Sequence, residues 1–373
     1  MSDAKSTCNN FDLIRLFAAA QVAITHAAEH LDIHSTAIEL LHYFPGVPVF
    51  FFISGYLIYR SYANVRGTSV RTFFTNRVLR LYPALVLCFA LTLGSVWSSG
   101  YFATHPAPLG ALVAWSVASL TFFQFYNPDF LRGYGTGAVN GSLWTIAVEL
   151  QFYALTPLVY LAFRRYRRSA LAIFALLVAA NLANTFLNAR GNIALKLVAV
   201  SFLPWLYMFV LGAYVSTDAS LRARLLRIHP LVWLALYLAS YMLAARLGLG
   251  AGNGINPVSY LLLSGLVLAV AHRRPALSDR ILRKNDISYG VYIYHMPIVN
   301  LLLYAGIDGT PASLALALVA TLATAAASWF CVEKPALALK KIALRSYRGP
   351  APLAERQPVV GHDHRAIDEA RRV

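Results

Sequence analysis

The chain has 373 residues, 58% of them hydrophobic and only 13% charged, with a mean hydropathy of +0.56. This composition excludes an ordinary soluble globular domain and fits a polytopic membrane protein. The net charge of +16 would suggest nucleic acid in a soluble chain. Here the basic residues fall in short loops between apolar runs, so they are topology signals and no nucleic-acid partner is expected. Cys8, Cys88 and Cys331 have neither metal-ligand nor disulfide spacing, so they read as packing residues and no metal is expected. The opening MSDAKSTCNN is polar and no small-residue cleavage site follows, which makes the first apolar helix its own anchor.

Window hydropathy predicts an all-α polytopic membrane protein of about ten transmembrane helices. They fall near 9–30, 45–62, 79–98, 143–163, 170–188, 197–216, 230–247, 255–271, 286–305 and 312–331. Residues 1–345 read as one membrane-embedded domain. Residues 346–373 read as a polar, disordered cytoplasmic tail. Loop charge orients the set. Arg60, Arg66, Arg71, Arg77 and Arg80 follow the second span, and Arg164, Arg165, Arg167 and Arg168 the fourth. Arg222, Arg224 and Arg227 follow the sixth, and Arg273, Arg274, Arg280, Arg283 and Lys284 the eighth. The opposite loops hold only Arg132, Arg190, Lys196 and Arg246, so both termini are expected in the cytoplasm.

The first span, FDLIRLFAAAQVAITHAAEH (11–30), carries Asp12, Arg15, His26 and Glu29, and ionisable groups inside a span mark function by default. Arg15 and His26 share one helix face, about 16 Å apart along the axis. This suggests a donor held at one membrane surface and chemistry nearer the other. Asp12 stands i,i+3 from Arg15, a spacing that allows a local ion pair. Ser54-Gly55, in VFFFISGYLIY, allows close backbone approach.

RVLR at 77–80 places Arg77 and Arg80 on one face at the cytoplasmic start of the third span, a pair suited to nucleotide phosphates. The apolar stretch 109–126 would invert the charge count if it crossed, so it is expected to be re-entrant or partly inserted. The glycine-rich loop NPDFLRGYGTGAVNGS (127–142) that follows either lines an opening or is a mobile connector. In NGSLWTIAVELQFY (140–153), Glu149 is the acid of the fourth span and needs a partner, a proton or water. Ser142 and Trp144 of the same run are assigned to a substrate channel. In ISYGVYIYHMPIV (287–299), Tyr289, Tyr292 and His295 line an inner half-span, and Pro297 loosens the helix beyond them. His295 is a second base or a scaffold residue, the scaffold role being favoured. Glu333 in CVEKP is expected to pair with loop arginines.

In this order, FDLIRLFAAAQVAITH, FFFISGYLI, RVLRLYP, SLWTIAVELQFY, SYGVYIYHMP and VEKP resemble the acyltransferase family 3 membrane proteins, of the polysaccharide and antigen O-acetylase type, across 11–335. The resemblance implies transfer of an acyl group, usually acetyl, from cytoplasmic acyl-CoA to a hydroxyl of a glycan or lipid-linked saccharide acceptor. It also implies the lipid setting of a bacterial inner membrane. On this basis His26 matches the family's essential histidine, Arg15 the arginine before it, Arg77 and Arg80 its CoA-end pair, and Glu149 the acid of its SLW–E–QFY motif. Two departures stand out. Leu150 occupies the place of a frequent second acid, and no esterase-like domain is expected after the membrane core.

The mechanism expected from these pieces holds CoA phosphates on Arg77 and Arg80, with Arg15 nearby. His26 acts as general base, oriented by Asp12 or Glu149. A transporter of a glycan precursor or anionic metabolite is the alternative, and a non-catalytic scaffold a third. The acceptor, the acyl chain and the oligomeric state, a homo-oligomer included, stay open.

Overall fold

The computed structural model describes residues 9–65, 70–166, 170–188, 193–274 and 276–339. Arg66, Arg167, Arg168 and Arg190 of the charge count, Cys8, and the 346–373 tail lie outside the described residues. The rest is helical, because long runs of Leu, Ala, Val and Phe in lipid leave the backbone no water to bond and close it on itself. The helices are α1 (Phe11–His30), α2 (Thr36–Leu41), α3 (Gly46–Val65), α4 (Val70–Ser98), α5 (Tyr101–Thr104), α6 (Leu109–Ser119) and α7 (Trp144–Arg165). They continue with α8 (Ala170–Asn188), α9 (Ile193–Ala199), α10 (Leu206–Thr217), α11 (Ala219–Arg227), α12 (Pro230–Arg246) and α13 (Pro257–Arg273). Last come α14 (Leu277–Leu282), α15 (Ser288–Tyr304) and α16 (Pro311–Ser328), the last of which runs through a π-turn at Trp329–Glu333.

Among the described residues five helical stretches are long and apolar enough to cross a membrane: Phe11–His30, Thr36–Asn64, Val70–Ser98, Gly141–Arg165 and Pro311–Leu339. Counting α11 and α12, which meet at 86°, as one broken span makes six. A count of ten therefore rests also on shorter helices such as α10, α13 and α15. Residues 109–126 form only the 11-residue helix α6 followed by turns, about 16 Å of helix against the roughly 30 Å of a bilayer core.

Close packing at the centre depends on two glycines facing each other across α3 and α10. A Cβ on Gly55 would lie 2.0 Å from the Phe209 carbonyl oxygen, and one on Gly212 would lie 2.1 Å from that of Phe52. The Ser54-Gly55 step thus has the packing role that small residues take between membrane helices.

Helix α15 is the buried axis of the molecule, with nearly every side chain from Ser288 to Leu302 covered. Pro297 removes the N–H that would bond Ile293, yet the helix continues to Tyr304. The freed Ile293 carbonyl accepts instead from Asn140 Nδ2 at 2.9 Å and from Cys88 Sγ at 3.3 Å. One turn further on, Asn300 is fully buried. It accepts from Thr136 N–H at 2.6 Å and donates to the Ala138 and Val139 carbonyls. Gly135, at φ 56°, sits where a Cβ would be 2.2 Å from Asn300 Oδ1. The glycine-rich loop is thereby fastened to α15 at both ends of the proline step and is no loose connector. Cys88 packs as expected, whereas Cys331 is exposed.

Candidate active site

Helices α1 and α15 run side by side in the same direction. Arg15 meets Asp286 just before α15, and His26 meets His295 within it. The eleven-residue step on α1 is thus spanned by a nine-residue step from Asp286 to His295.

At the first end Arg15 Nη1 donates to Asp286 Oδ2 at 2.8 Å, and Arg80 Nη2 donates to the same oxygen. The Ser288 N–H and hydroxyl cover Oδ1. Two guanidinium donors on one carboxylate favour its charged form. Asp12 lies 3.9 Å from Arg15, the i,i+3 pair that the spacing allows, with its carboxylate half exposed. The Arg80 guanidinium also stands over the Trp329 ring at 5.6 Å. Arg77 leaves this group. It donates to Ser61 Oγ at 3.4 Å and lies over the rings of Phe73 and Tyr153. The shared helix face of Arg77 and Arg80 therefore splits between two sets of partners. Glu333 is buried and accepts from Ser328 Oγ at 3.0 Å, in place of the expected loop arginines.

At the second end His26 Nδ1 and His295 Nε2 are 3.1 Å apart, and His295 is only 1% exposed. The His30 ring stands 6.3 Å from His26, and the Tyr292 ring 6.0 Å from His295. The expectation that Asp12 or Glu149 orients His26 is corrected here. Asp12 precedes it by fourteen residues, about 21 Å of helix, and Glu149 bonds elsewhere. Two neutral imidazoles meeting nitrogen to nitrogen share a single proton. If His26 Nδ1 donates it, His26 Nε2 carries a lone pair and is a base; the reverse arrangement makes Nε2 a donor. His295 is therefore placed to set which role His26 plays.

Between the two ends, a cavity of about 30 Å³ is bounded by Arg15, Glu149, Tyr289 and Tyr292 together with Val47, Phe50, Phe51, Thr145 and Ile146. Side chains from several separate motifs meet there. Glu149 accepts from Tyr153 at 2.5 Å and from Ser54 at 3.3 Å, while Tyr292 and Thr145 share a 2.6 Å hydroxyl contact. Ser142 lines neither described cavity. It donates to Asn140 Oδ1 at 2.8 Å and braces the loop. Trp144 lines a second, larger cavity of about 420 Å³, to which the 127–142 loop contributes Asn127 and residues 138–141.

Asp286, Asn140 and Asn300 escaped sequence reasoning. Asp286 falls at the edge of a predicted span, where acids are common. The asparagines had one signal, since Pro297 inside an apolar helix announces a carbonyl that some donor must satisfy.

A family profile described as an acyltransferase domain matches residues 9–332, nearly all of the described chain. This chain belongs to acyltransferase family 3. Two relatives share almost their whole length with it. Nodulation protein 10 of Rhizobium leguminosarum bv. viciae is 32% identical over 358 residues, covering 89% of this chain and 94% of the relative. The O-acetyl transferase of Shigella phage Sf6 is 29% identical over 349 residues, covering 88% and 96%. The peptidoglycan O-acetyltransferase of Listeria monocytogenes is 30% identical over 132 residues, 33% of this chain and 20% of the relative. No solved structure matches. Family membership and the apolar helices together describe an integral membrane acyltransferase.

Proposed function

We propose that the protein transfers an acetyl group from cytoplasmic acetyl-CoA to a hydroxyl of a glycan or lipid-linked saccharide. It works from a bacterial inner membrane, with about ten spans and both termini in the cytoplasm. The observation that carries this reading is the parallel α1–α15 pair, with a cationic cluster at one end and a histidine pair about three turns away. That separation, roughly 16 Å, suits a donor whose phosphates and thioester lie at opposite ends of an extended arm. Arg80 and Arg15, held in place by Asp286, are the phosphate ligands, and Arg77 joins them only by leaving Ser61. Asp12 tempers the charge of Arg15. Glu149, Tyr289 and Tyr292 line the path between the ends.

In the chemical step His26 Nε2 takes the proton of the acceptor hydroxyl as its oxygen attacks the thioester carbonyl. The C–S bond breaks, an ester C–O bond forms, and the CoA thiolate recovers the proton from the imidazolium. His295 keeps the Nε2 lone pair available by accepting from Nδ1.

The test is CoA release from acetyl-CoA by purified wild-type and His26→Ala protein with a panel of glycan acceptors. Release that needs both the acceptor and His26 supports the proposal. Undiminished transfer by well-folded His26→Ala protein would end it. Uptake of a glycan precursor into sealed vesicles without an acyl product would favour a transporter.

A further inference from the structure

The 420 Å³ cavity plays no part in the chemistry above. Three of the chain's six tryptophans, Trp115, Trp144 and Trp205, stand in its wall, with Phe89 beside them. None of the residues described around it carries a charge or an imidazole. A CoA phosphate or a uronic acid would find no counter-charge there, so the cavity suits an uncharged ligand.

Its polar groups differ in what they have left to offer. Thr92, Asn127 and Asn140 already bond Cys88 O, Gly137 O and Ile293 O. Gln124, only 5% exposed, lines the cavity, and both its amide nitrogen and its amide oxygen are buried without a partner. A buried amide left without partners is unfavourable, and a hydrocarbon chain in the cavity would leave it so. A ligand with hydroxyls would satisfy both the donor and the acceptor once the amide turns to the cavity wall, and its C–H faces would lie against the indoles.

We infer that this cavity is the acceptor subsite and binds one or two rings of an uncharged saccharide, read by the Gln124 amide between tryptophan faces. Its position supports that use. Asn140 in its wall bonds the Ile293 carbonyl, next to Tyr292 and two residues before His295. The role of the bound sugar rests on the acyl-transfer reading above, but the binding itself does not.

The experiment therefore reads binding without the donor. Purified protein is titrated with neutral disaccharides (cellobiose, chitobiose, lactose) and with glucuronic acid, followed by intrinsic tryptophan fluorescence. Acetyl-CoA binding is measured separately by calorimetry. At least one neutral disaccharide should bind saturably, and glucuronic acid should not. Gln124→Leu should weaken that sugar at least tenfold while leaving acetyl-CoA affinity and thermal stability unchanged, since it removes unpaired polar atoms and no described bond. Trp115→Phe should weaken it less than Gln124→Leu. Binding of no neutral disaccharide, or unchanged sugar affinity in Gln124→Leu, would overturn the assignment. So would a lipid chain that co-purifies in native mass spectrometry and is released by Trp115→Phe. Loss of acetyl-CoA binding in the wild type would fail the donor reading alone.

Discussion

The two ends of α1 hold their polar groups by opposite means. At Arg15, two guanidiniums converge on one carboxylate, and a serine caps its other oxygen. Both guanidiniums have an acidic partner, and the geometry is fixed by several donors at once. At His26, two imidazoles meet through one nitrogen each and need share only a proton. The first arrangement is built to stay charged and still; the second can change its proton count without breaking an ion pair. A binding end and a reacting end are what that contrast suits, and substitutions at the two ends should separate cleanly.

The largest effect should come from the reacting end. His26→Ala should lower kcat by about 10²–10⁴-fold, the usual worth of a general base, with the KM for acetyl-CoA little changed. Equal losses in kcat and acetyl-CoA affinity would erase the distinction between the ends. Asp286→Ala should do the reverse. It leaves two partly buried cations facing each other and should destabilise the fold by less than the ~3–5 kcal/mol of a fully buried pair, read by thermal unfolding in detergent. Asp286→Asn keeps a hydrogen-bond acceptor and should cost less. His295→Ala comes next, at about 10–100-fold in kcat, within the range of a mispositioned base. His295→Gln, which can still accept from Nδ1, should recover part of that. A pure scaffold role for His295 would instead show as lost stability with kcat intact.

How much of this was legible before the structure differs along the chain. The stripe of Asp12, Arg15 and His26 follows from helical period alone, because those residues are neighbours on one element. The partners are not legible in the same way. Asp286 and His295 stand 271 and 269 residues from the groups they bond, and no local pattern in one sequence states which helices lie side by side. Glu149 was recognised as a group needing partners, but Tyr153 and Ser54 supply them as hydroxyl donors, a solution that leaves no charge pattern to find. The number of spans is legible only in part, for a related reason. Helices such as α10 and α13 are 12 and 17 residues long, and hydropathy windows do not distinguish a short buried helix from a crossing one.

The smallest expected effect tests whether the binding end is one site or two. Arg77 and Arg80 are three residues apart, but only Arg80 joins the Asp286 group; Arg77 holds Ser61 and the faces of Phe73 and Tyr153. Arg80→Ala removes both a phosphate ligand and half of the counter-charge on Asp286, so it should raise the KM for acetyl-CoA by tenfold or more and also lower thermal stability. Arg77→Ala removes a cation whose hydrogen bond to Ser61 is long, at 3.4 Å. A charged hydrogen bond to phosphate is worth about 1.5–3 kcal/mol, so a full ligand would cost about tenfold or more on loss. A change well under tenfold for Arg77→Ala, with stability unchanged, would place Arg77 outside the phosphate contact and leave Arg80 and Arg15 to carry it. Equal losses for both arginines would mean that Arg77 swings away from Ser61 when the donor binds.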